Sequence, residues 1–516
     1  MATEEIGMRN RDGKATTTNG EHETNQEQIP LNPDVVIEEE PKKTCSQNCI
    51  YFFKNITLEP TVALFIIGYM SSAMTLSNLH IEKACRVNLN FPDEICTAMR
   101  QQTLDSQNVY ERDVQRLVAR AITWRTYITA TIPCVLGLFV GPWQDKTGHR
   151  KIFLIIPIIG QILACVNNIL NVYFFKQLSL EVLIFSDAII DALSGGMCVM
   201  VLTVFAFIST ISSEKTRTFR MGMVNFSFTV SFPVAAASSG VILKNLGYYG
   251  AFGISLGYHI INLLYSVIVL KDPPRTNDQK EHDRKGVGHF FRTFFDLSNV
   301  KETVTVVFKN GPNKRRLRMI VLLCVVTILF GPMFGEISIM YMSTRYRFNW
   351  DEVKFSIFQT YNFIVHTIGT IFSITVFSKL LQWHDSMLGI ISTVSKIAAS
   401  FVYCFAPNER IFYIAPAVEI LNGTSLLALR SITSKLVAPN ELGKVNSIFS
   451  LTENLMPLVY VPLYTKVYTA TMEILPGAVF LLGAAMTLPA VIVFICLFVE
   501  HRKGLKKKPV KIENGI

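Results

Sequence analysis

The chain has 516 residues, of which half are hydrophobic and only 17% are charged. Soluble domains carry about 25% charged residues, so this composition excludes an ordinary soluble protein. The formal net charge is +10, but the basic residues cluster in short loops beside apolar runs, which is typical of membrane flanks. We expect no nucleic-acid partner, because no motif or fold for one is present.

The N-terminal region is polar and acidic as far as about residue 40. It has no apolar core, so it is not a secretory signal peptide. We predict a disordered cytoplasmic tail over residues 1–55.

Twelve apolar runs follow, and many approach or exceed the roughly 20 residues that cross a bilayer as a helix. We name them spans 1 to 12 in chain order. They centre on residues 59–80, 122–142, 152–173, 180–209, 220–243, 249–270, 319–342, 354–379, 386–406, 410–434, 445–468 and 476–499.

The runs fall into two groups of six. The sequence therefore predicts an all-α membrane protein of twelve transmembrane helices in two six-helix halves, 56–270 and 319–500. A linker, 271–318, joins the halves, and a basic tail, 501–516, follows them. The linker holds twelve Lys or Arg against six Asp or Glu, so the positive-inside rule places it and both termini in the cytosol. The loop of residues 80–120 then lies outside.

Two six-span halves joined by a basic linker favour a twofold transporter of the major facilitator type. A different twelve-span fold stays open on topology alone. In either case we expect the lipid bilayer as the environment and a monomer as the oligomeric state.

The loop between spans 2 and 3 reads GPWQDKTGHRK. It resembles the signature that the major facilitator superfamily carries in this loop, with His149 in place of the usual first arginine of a basic pair. The resemblance implies a cytoplasmic gating motif, formed by Gly141, Asp145, Lys146, Gly148, Arg150 and Lys151.

Several stretches resemble the proton-coupled folate transporter and its relatives: SSEKTRTFRM at 212–221, LALRSITSKLV at 427–437 and LLGAAMTLPAVI at 481–492. The first stretch adds Arg217 and Arg220 to the gating candidates. The second places Arg430 where the folate carrier has an arginine linked to proton coupling and substrate binding. The resemblance also selects Glu453 on span 11, and Glu336 near a family aspartate on span 7.

The chain also departs from that family. Asn225 stands near a family carboxylate on span 5, and Asp187 stands near a family arginine on span 4. Asn349 replaces the family's outer-loop cysteine, so the usual outer disulfide cannot form. Independently of the family, an oxidising compartment would permit a bridge between Cys85 and Cys96, although the sequence leaves this open.

Ionisable side chains inside the spans are candidates for substrate binding or ion coupling, because a charge at mid-bilayer costs a few kcal/mol unless a cavity or a partner receives it. Asp187 and Asp191 stand one turn apart on span 4 and share a face. Glu419 and Arg430 stand about three turns apart on span 10, on one face of a continuous helix. His366 on span 8 is a possible proton carrier. The alternatives are a hydrated aspartate, an arginine that snorkels to the interface and a histidine bonded only to a neighbour.

The chain has no P-loop and no metal-binding motif, so we expect no cofactor, no metal and no enzymatic activity. The main hypothesis is a secondary active carrier that moves a small organic solute, an organic anion or a folate-like heterocycle, by alternating access with proton symport. The location would be the plasma membrane or an endosomal or lysosomal membrane. The alternative is a non-transporting sensor or trafficking partner on the same fold.

Overall fold

The structure, a computed structural model, describes residues 57–507 except 106, 213, 273–274, 276–278, 280–293, 296–300, 302–304, 306–307, 311–313, 382 and 435–441. Most of the predicted tails, 1–55 and 501–516, lies outside these residues. Over the described residues the secondary structure is helical, with no strand.

The first six spans form seven helices. Asn108 and Ser179 begin two of them as N-caps, accepting hydrogen bonds from Tyr110 N and Val182 N. The helices are α1 (Glu59–Lys83), α2 (Asp93–Arg100, in the loop after span 1), α3 (Val109–Thr147), α4 (Lys151–Tyr173), α5 (Leu180–Leu193), α6 (Gly196–Ile211) and α7 (Glu214–Ile268).

The other six spans form eight helices. They are α8 (Arg315–Phe348), α9 (Glu352–Phe372, continued by a π-helix at Ser373–Leu380), α10 (Asp385–Phe405), α11 (Glu409–Phe412), α12 (Ala415–Val418), α13 (Thr424–Ser434), α14 (Leu442–Thr471) and α15 (Ala478–Lys507). Helices therefore occupy all twelve predicted runs.

Nine helices in the described part of the chain are long and apolar enough to cross a membrane. Spans 5 and 6 share one of them, α7, which breaks at Gly247 with a left-handed φ of 62°. Spans 10 and 11 are not among the nine: span 10 is divided into the short helices α11, α12 and α13, and α14, which holds span 11, does not meet the criterion. The predicted membrane bundle is confirmed, whereas span 10 is not the continuous helix that the sequence indicated.

The two halves meet along two pairs of spans. Span 2 packs on span 11, where the Thr123 and Thr465 hydroxyls lie 3.0 Å apart. Span 5 packs on span 8, where the rings of Phe232 and Phe363 stack with centroids 5.4 Å apart. Adding six to a span number exchanges these two pairs, so the interface has the pseudo-twofold pattern of a repeat transporter.

The buried apolar residues distinguish the two ends of the bundle. We name them the disulfide end, beside Cys85 and Cys96, and the linker end, where the 141–150 loop lies. At the disulfide end one core holds Ile81 and Val114 of the first half together with Ile339 and Tyr403 of the second. At the linker end the cores are separate, one around Phe65, Ile158 and Phe207 and one around Val326, Leu429 and Phe494. The halves are therefore packed together at the disulfide end.

Candidate functional site

A buried lysine joins two carboxylates in the second half of the bundle. Lys396 Nζ on span 9 lies 2.5 Å from Glu336 Oε2 on span 7 and 3.0 Å from Glu419 Oε2 on span 10. Glu419 Oε1 also lies 3.3 Å from His366 Nε2 on span 8 and accepts a hydrogen bond of 3.1 Å from the Tyr403 hydroxyl. We name these five residues the C-half cluster. It brings together three predicted site residues, Glu336, His366 and Glu419.

The break in span 10 places Glu419 in this cluster. Residues 419–423 form a turn between α12 and α13. Two serines of span 9 provide hydrogen bonds there in place of the helical ones. The hydroxyl of Ser395 donates to the carbonyl of Val418, and the hydroxyl of Ser392 donates to the carbonyl of Asn422. The expectation that Glu419 and Arg430 share a face of one continuous helix is therefore wrong, since these side chains leave the chain on opposite sides of the break.

Glu336 is positioned by close packing between spans 7 and 11. The ring of Tyr464 lies against Gly335 so closely that a Cβ at residue 335 would collide with it. Small residues permit such an approach between membrane helices. Glu336 is only 4% exposed, and its second oxygen, Oε1, has no hydrogen-bond partner among the described residues. The carboxylate therefore has an unused acceptor inside the bundle.

A second polar cluster lies in the first half of the bundle. Arg125 on span 2 donates to Asp187 Oδ2 on span 4 through Nε at 3.2 Å and Nη2 at 3.0 Å. Two span 3 amides complete the group: Asn168 donates to Asp187 Oδ1 at 3.2 Å, and Gln161 donates to Asp191 Oδ1 at 2.7 Å. We name these five residues the N-half cluster. Asp187 is buried, at 3% exposure, so it is not a hydrated surface aspartate.

The remaining span candidates lie apart from these clusters. Arg430 Nη2 donates to both carboxylate oxygens of Glu453, at 2.8 and 2.9 Å, and the arginine side chain is 54% exposed. Asn225 is exposed, and no described side chain of either cluster bonds to it. Asn225, which the family resemblance selected, therefore belongs to neither cluster among the described residues.

Buried polar contacts tie the two halves at the disulfide end. Arg345 Nε of span 7 lies 2.8 Å from Glu111 Oε1 at the start of span 2, and the arginine side chain is 2% exposed. Nearby, the Tyr341 hydroxyl donates to Asn78 Oδ1 and the Tyr468 hydroxyl donates to Gln115 Oε1. Each contact crosses from one half to the other, so the disulfide end is closed by polar as well as apolar groups.

Cys85 and Cys96 form a disulfide beside this closed end. The bridge joins the π-helix that follows α1 to α2, and Arg345 Nη2 donates to the carbonyl of Met99 in the same short helix. The outer loop is thereby attached to Arg345, which also forms the buried contact with Glu111.

The signature loop between spans 2 and 3 is hydrogen-bonded to the start of the linker. Gly148 ends α3 with a left-handed φ of 74°, a conformation that glycine adopts without strain. Asp272 of the linker accepts from the backbone N–H groups of Arg150 and Lys151 at the N-terminus of α4, where a carboxylate is stabilising. His149 Nε2 lies 2.8 Å from Arg275 Nη1.

The structure describes the side chains of only some of the other gating candidates. Gly141 and Lys146 both lie in α3, and Lys146 is two residues before Gly148. Arg220 donates to Thr57 Oγ1 and thus holds the start of span 5 to the start of span 1. The side chains of Asp145 and Arg217 lie outside the described residues.

Sequence reasoning missed the cations of both clusters. Arg125 and Lys396 were not selected, although each is the only charged residue in its apolar run, 122–142 and 386–406. Because buried carboxylates need counter-charges, a search of the spans for lone cations would have found both. The amide of Gln161 and the inter-half pair Arg345 and Glu111 had no comparable signal.

With the geometry described, comparison with known proteins assigns the chain to a family. A family model described as Major Facilitator Superfamily matches residues 61–460. The chain belongs to this superfamily, and it is a multi-pass membrane transporter of small organic solutes rather than an enzyme. The expected fold class and the resemblance seen in the sequence are both confirmed.

Characterised relatives are members of solute carrier family 46. A lysosomal proton-coupled steroid conjugate and bile acid symporter from Gallus gallus is 24% identical over 451 residues, covering 85% of this chain and 90% of that protein. A probable peptidoglycan muropeptide transporter from Drosophila melanogaster is 22% identical and covers 81% of each chain. A proton-coupled folate transporter from Rattus norvegicus is 25% identical, covering 70% of this chain and 75% of that protein.

Solved structures agree on the fold. The human organic anion transporter TETRAN superposes with a TM-score of 0.58 at 13% identity, over 85% of this chain and 98% of that one. The nucleoside transporter NupG superposes with a TM-score of 0.53 at 14% identity, over 85% of this chain and 99% of that one.

Proposed function

We propose that the chain is a proton-coupled symporter of a small organic anion and that the C-half cluster binds the coupling proton. The observation that carries this proposal is the pair of contacts from Lys396 to Glu336 and Glu419. One lysine here faces two carboxylates inside a membrane bundle.

The charge balance of the cluster favours proton binding. Lys396 compensates one carboxylate, and the second needs another positive charge, because an unpaired ion in a low-dielectric interior costs several kcal/mol. A proton on His366 or on Glu336 supplies it. His366 Nε2 faces Glu419, and Glu336 Oε1 is buried with no hydrogen-bond partner among the described residues. The cluster therefore offers two adjacent places for one proton.

The location of the cluster links this proton to movement. Its side chains come from spans 7, 8, 9 and 10, so one protonation event changes the electrostatic balance where four helices meet. Removing a charge from Glu336 would free Lys396 to bind Glu419 alone and would loosen the attachment of span 7. A ligand shifts a conformational equilibrium only through such a difference in free energy between the states.

Two arginines are the candidates for holding an anionic solute. Arg125 uses Nε and Nη2 on Asp187 and keeps a partly exposed side chain, and Arg430 is more than half exposed beside Glu453. Guanidinium groups bind carboxylate, sulfate and phosphate groups through paired hydrogen bonds. The relatives named as bile acid conjugate and folate carriers, and the anion transporter among the structural neighbours, are consistent with this class of solute.

Alternating access follows from the two-half architecture. We propose halves 56–270 and 319–500 joined by the linker 271–318. The contact of Arg345 with Glu111 closes the disulfide end, and rocking of the halves would separate it. With the linker and both termini in the cytosol, the disulfide end faces the exterior or an organelle lumen, which suits both a plasma membrane and an acidic endosomal or lysosomal membrane.

Reconstitution of the purified full chain into liposomes tests the function. Labelled taurocholate and folic acid serve as the first anionic probes, with an acidic exterior and a neutral lumen. We expect uptake of at least one probe that a protonophore abolishes and that Glu336→Gln reduces strongly. Saturable binding of a probe without flux under any gradient would instead support the alternative of a non-transporting sensor.

A further inference from the structure

We propose a second proton-binding site, at Asp191 in the N-half cluster, so that two protons move with each solute. This inference rests on the proposed symport function and adds to it a stoichiometry and a site in the other half of the bundle.

The surroundings of Asp191 provide little compensation for a negative charge. It is 5% exposed and lies in the last turn of α5, near the middle of span 4. Among the described residues its carboxylate has one hydrogen-bond donor, Gln161 Nε2, at 2.7 Å from Oδ1. No lysine, arginine or histidine of the described residues forms an ion pair with it.

The charged neighbours are already engaged. Arg125, from span 2, directs two nitrogens to Asp187, which stands one turn before Asp191 on the same helix. The N-half cluster thus contains two carboxylates and one guanidinium. A net charge of −1 in a buried site is avoided when one carboxylate binds a proton.

An orphaned acceptor in the cluster supports the assignment independently. Asn168 is 1% exposed, and while its amide nitrogen donates to Asp187, its Oδ1 atom has no partner in the described part of the chain. The oxygen shares a carboxamide group with that nitrogen, so it lies near the Asp187 carboxylate. Buried hydrogen-bond acceptors rarely lack a donor. The hydroxyl of a protonated carboxyl group, or a water molecule, near this carboxylate pair would supply one to Asn168 Oδ1.

A proton fits Asp191 better than a metal ion or the solute. Na⁺ and other hard cations need several oxygen ligands, whereas the group nearest to Oδ1 is an amide N–H, and no three metal-ligating side chains group together among the described residues. A bulky solute cannot contact a carboxylate that is almost completely buried behind spans 2 and 3. We therefore assign one proton to Asp191 and one to the C-half cluster.

Infrared difference spectroscopy of the purified full chain tests the assignment without a solute. A pH titration should show the carbonyl stretch of protonated carboxyl groups, with one component lost in Asp191→Asn and a different component lost in Glu336→Gln. Gln161→Met removes the donor that the described residues provide to the Asp191 carboxylate, and should keep its component to higher pH, because a hydrogen bond to the charged form is lost. Asp187→Asn leaves Arg125 free to compensate the charge of Asp191, so the Asp191 component should disappear at a lower pH than in the unmodified chain.

The coupling ratio provides the functional measurement. At zero membrane potential, one unit of pH difference should sustain about a hundredfold accumulation of a transported probe with two protons and about tenfold with one. We expect the higher value for the unmodified chain and the lower value for Asp191→Asn. An unchanged infrared spectrum in Asp191→Asn, or an equal accumulation in both proteins, would overturn the second site and leave single-proton symport standing. Absence of any proton-driven accumulation would instead contradict the proposed function.

Discussion

Lys396 Nζ lies 2.5 Å from Glu336 Oε2, a buried ion pair that fastens span 9 to span 7 in the interior of the second half. The same lysine reaches Glu419 across the break in span 10. Three helices thus depend on one cation, and the charge state of its partners determines how firmly they are held.

Lys396→Met should therefore both destabilise the protein and abolish transport. Removing one partner of a buried ion pair typically costs about 3–5 kcal/mol, because an uncompensated charge remains. We expect a clear fall in the thermal unfolding midpoint of the purified protein and loss of probe uptake into liposomes.

Two further variants separate charge from packing. Lys396→Met combined with Glu336→Gln should regain part of the lost thermal stability, since one of the two unpaired carboxylates is gone. Lys244→Met is the matched control, because Lys244 pairs with Asp351 at an exposed site where an ion pair contributes about 0–1 kcal/mol. Equal destabilisation by the two lysine substitutions would contradict the special role of Lys396.

The contact of Arg345 with Glu111 should act as a gate at the disulfide end. Glu111→Gln removes a charge-assisted hydrogen bond of about 1.5–3 kcal/mol, which corresponds to a shift of roughly tenfold or more in the conformational equilibrium. We expect a cysteine placed at Thr123, behind this contact, to react faster with an impermeant maleimide applied from the disulfide end.

Arg116→Gln is the control for this experiment. Arg116 pairs with Glu473 across the same two halves, but both side chains are more than two-fifths exposed, so the maleimide rate should change little. If the two variants labelled at the same rate as the unmodified chain, the Arg345 contact would not be a gate.

Much of the fold could be predicted because a helix that crosses a bilayer requires a long apolar run. Each of the twelve apolar runs contains helix, and Gly148 ends α3 within the signature loop. The break at 419–423 was missed because residues 410–434 are apolar on both sides of it, although the dipeptide Asn422-Gly423 within it favours a turn. The break is stabilised by hydroxyl groups of Ser392 and Ser395 on another helix, and a single segment carries no sign of such tertiary support.

The carboxylates of the candidate site could be predicted from the sequence, but the cation that each one contacts could not. Asp187, Asp191, Glu336 and Glu419 stand out as carboxylates in apolar runs, and all four are buried. Which cation each one contacts depends on how helices distant in sequence pack. Arg430 and Glu453 were selected separately and form a pair, whereas the bridging position of Lys396 could be seen only in three dimensions.

Opening the disulfide between Cys85 and Cys96 should loosen the outer loop without unfolding the bundle. The bridge spans 11 residues of sequence, and a loop of about that length contributes roughly 3 kcal/mol in the chain-entropy view. Cys96→Ser should increase hydrogen exchange in α2 and in the π-helix at Ala84–Asn88, while helices at the linker end keep their protection. Equal exchange in reduced and oxidised protein would show that the loop is held by other contacts.

Gly335→Ala should be destabilising because its new methyl group would collide with the ring of Tyr464. Overpacking of a close contact costs about 1–3 kcal/mol. Gly222→Ala is the control, since no described atom outside the local helix backbone lies within 4 Å of a Cβ at that position, and alanine is the better helix former. The thermal midpoints should fall for the first variant and stay equal or rise for the second.

Proton-driven uptake by Glu336→Gln, compared with the unmodified chain in the same liposomes, shows whether the C-half cluster binds the coupling proton. We expect an acidic exterior to accelerate probe uptake by the unmodified chain, and we expect the variant to lose this pH dependence while still exchanging probe between the two sides. Uptake by Glu336→Gln that keeps the full dependence on the proton gradient would show that the C-half cluster does not carry the coupling proton.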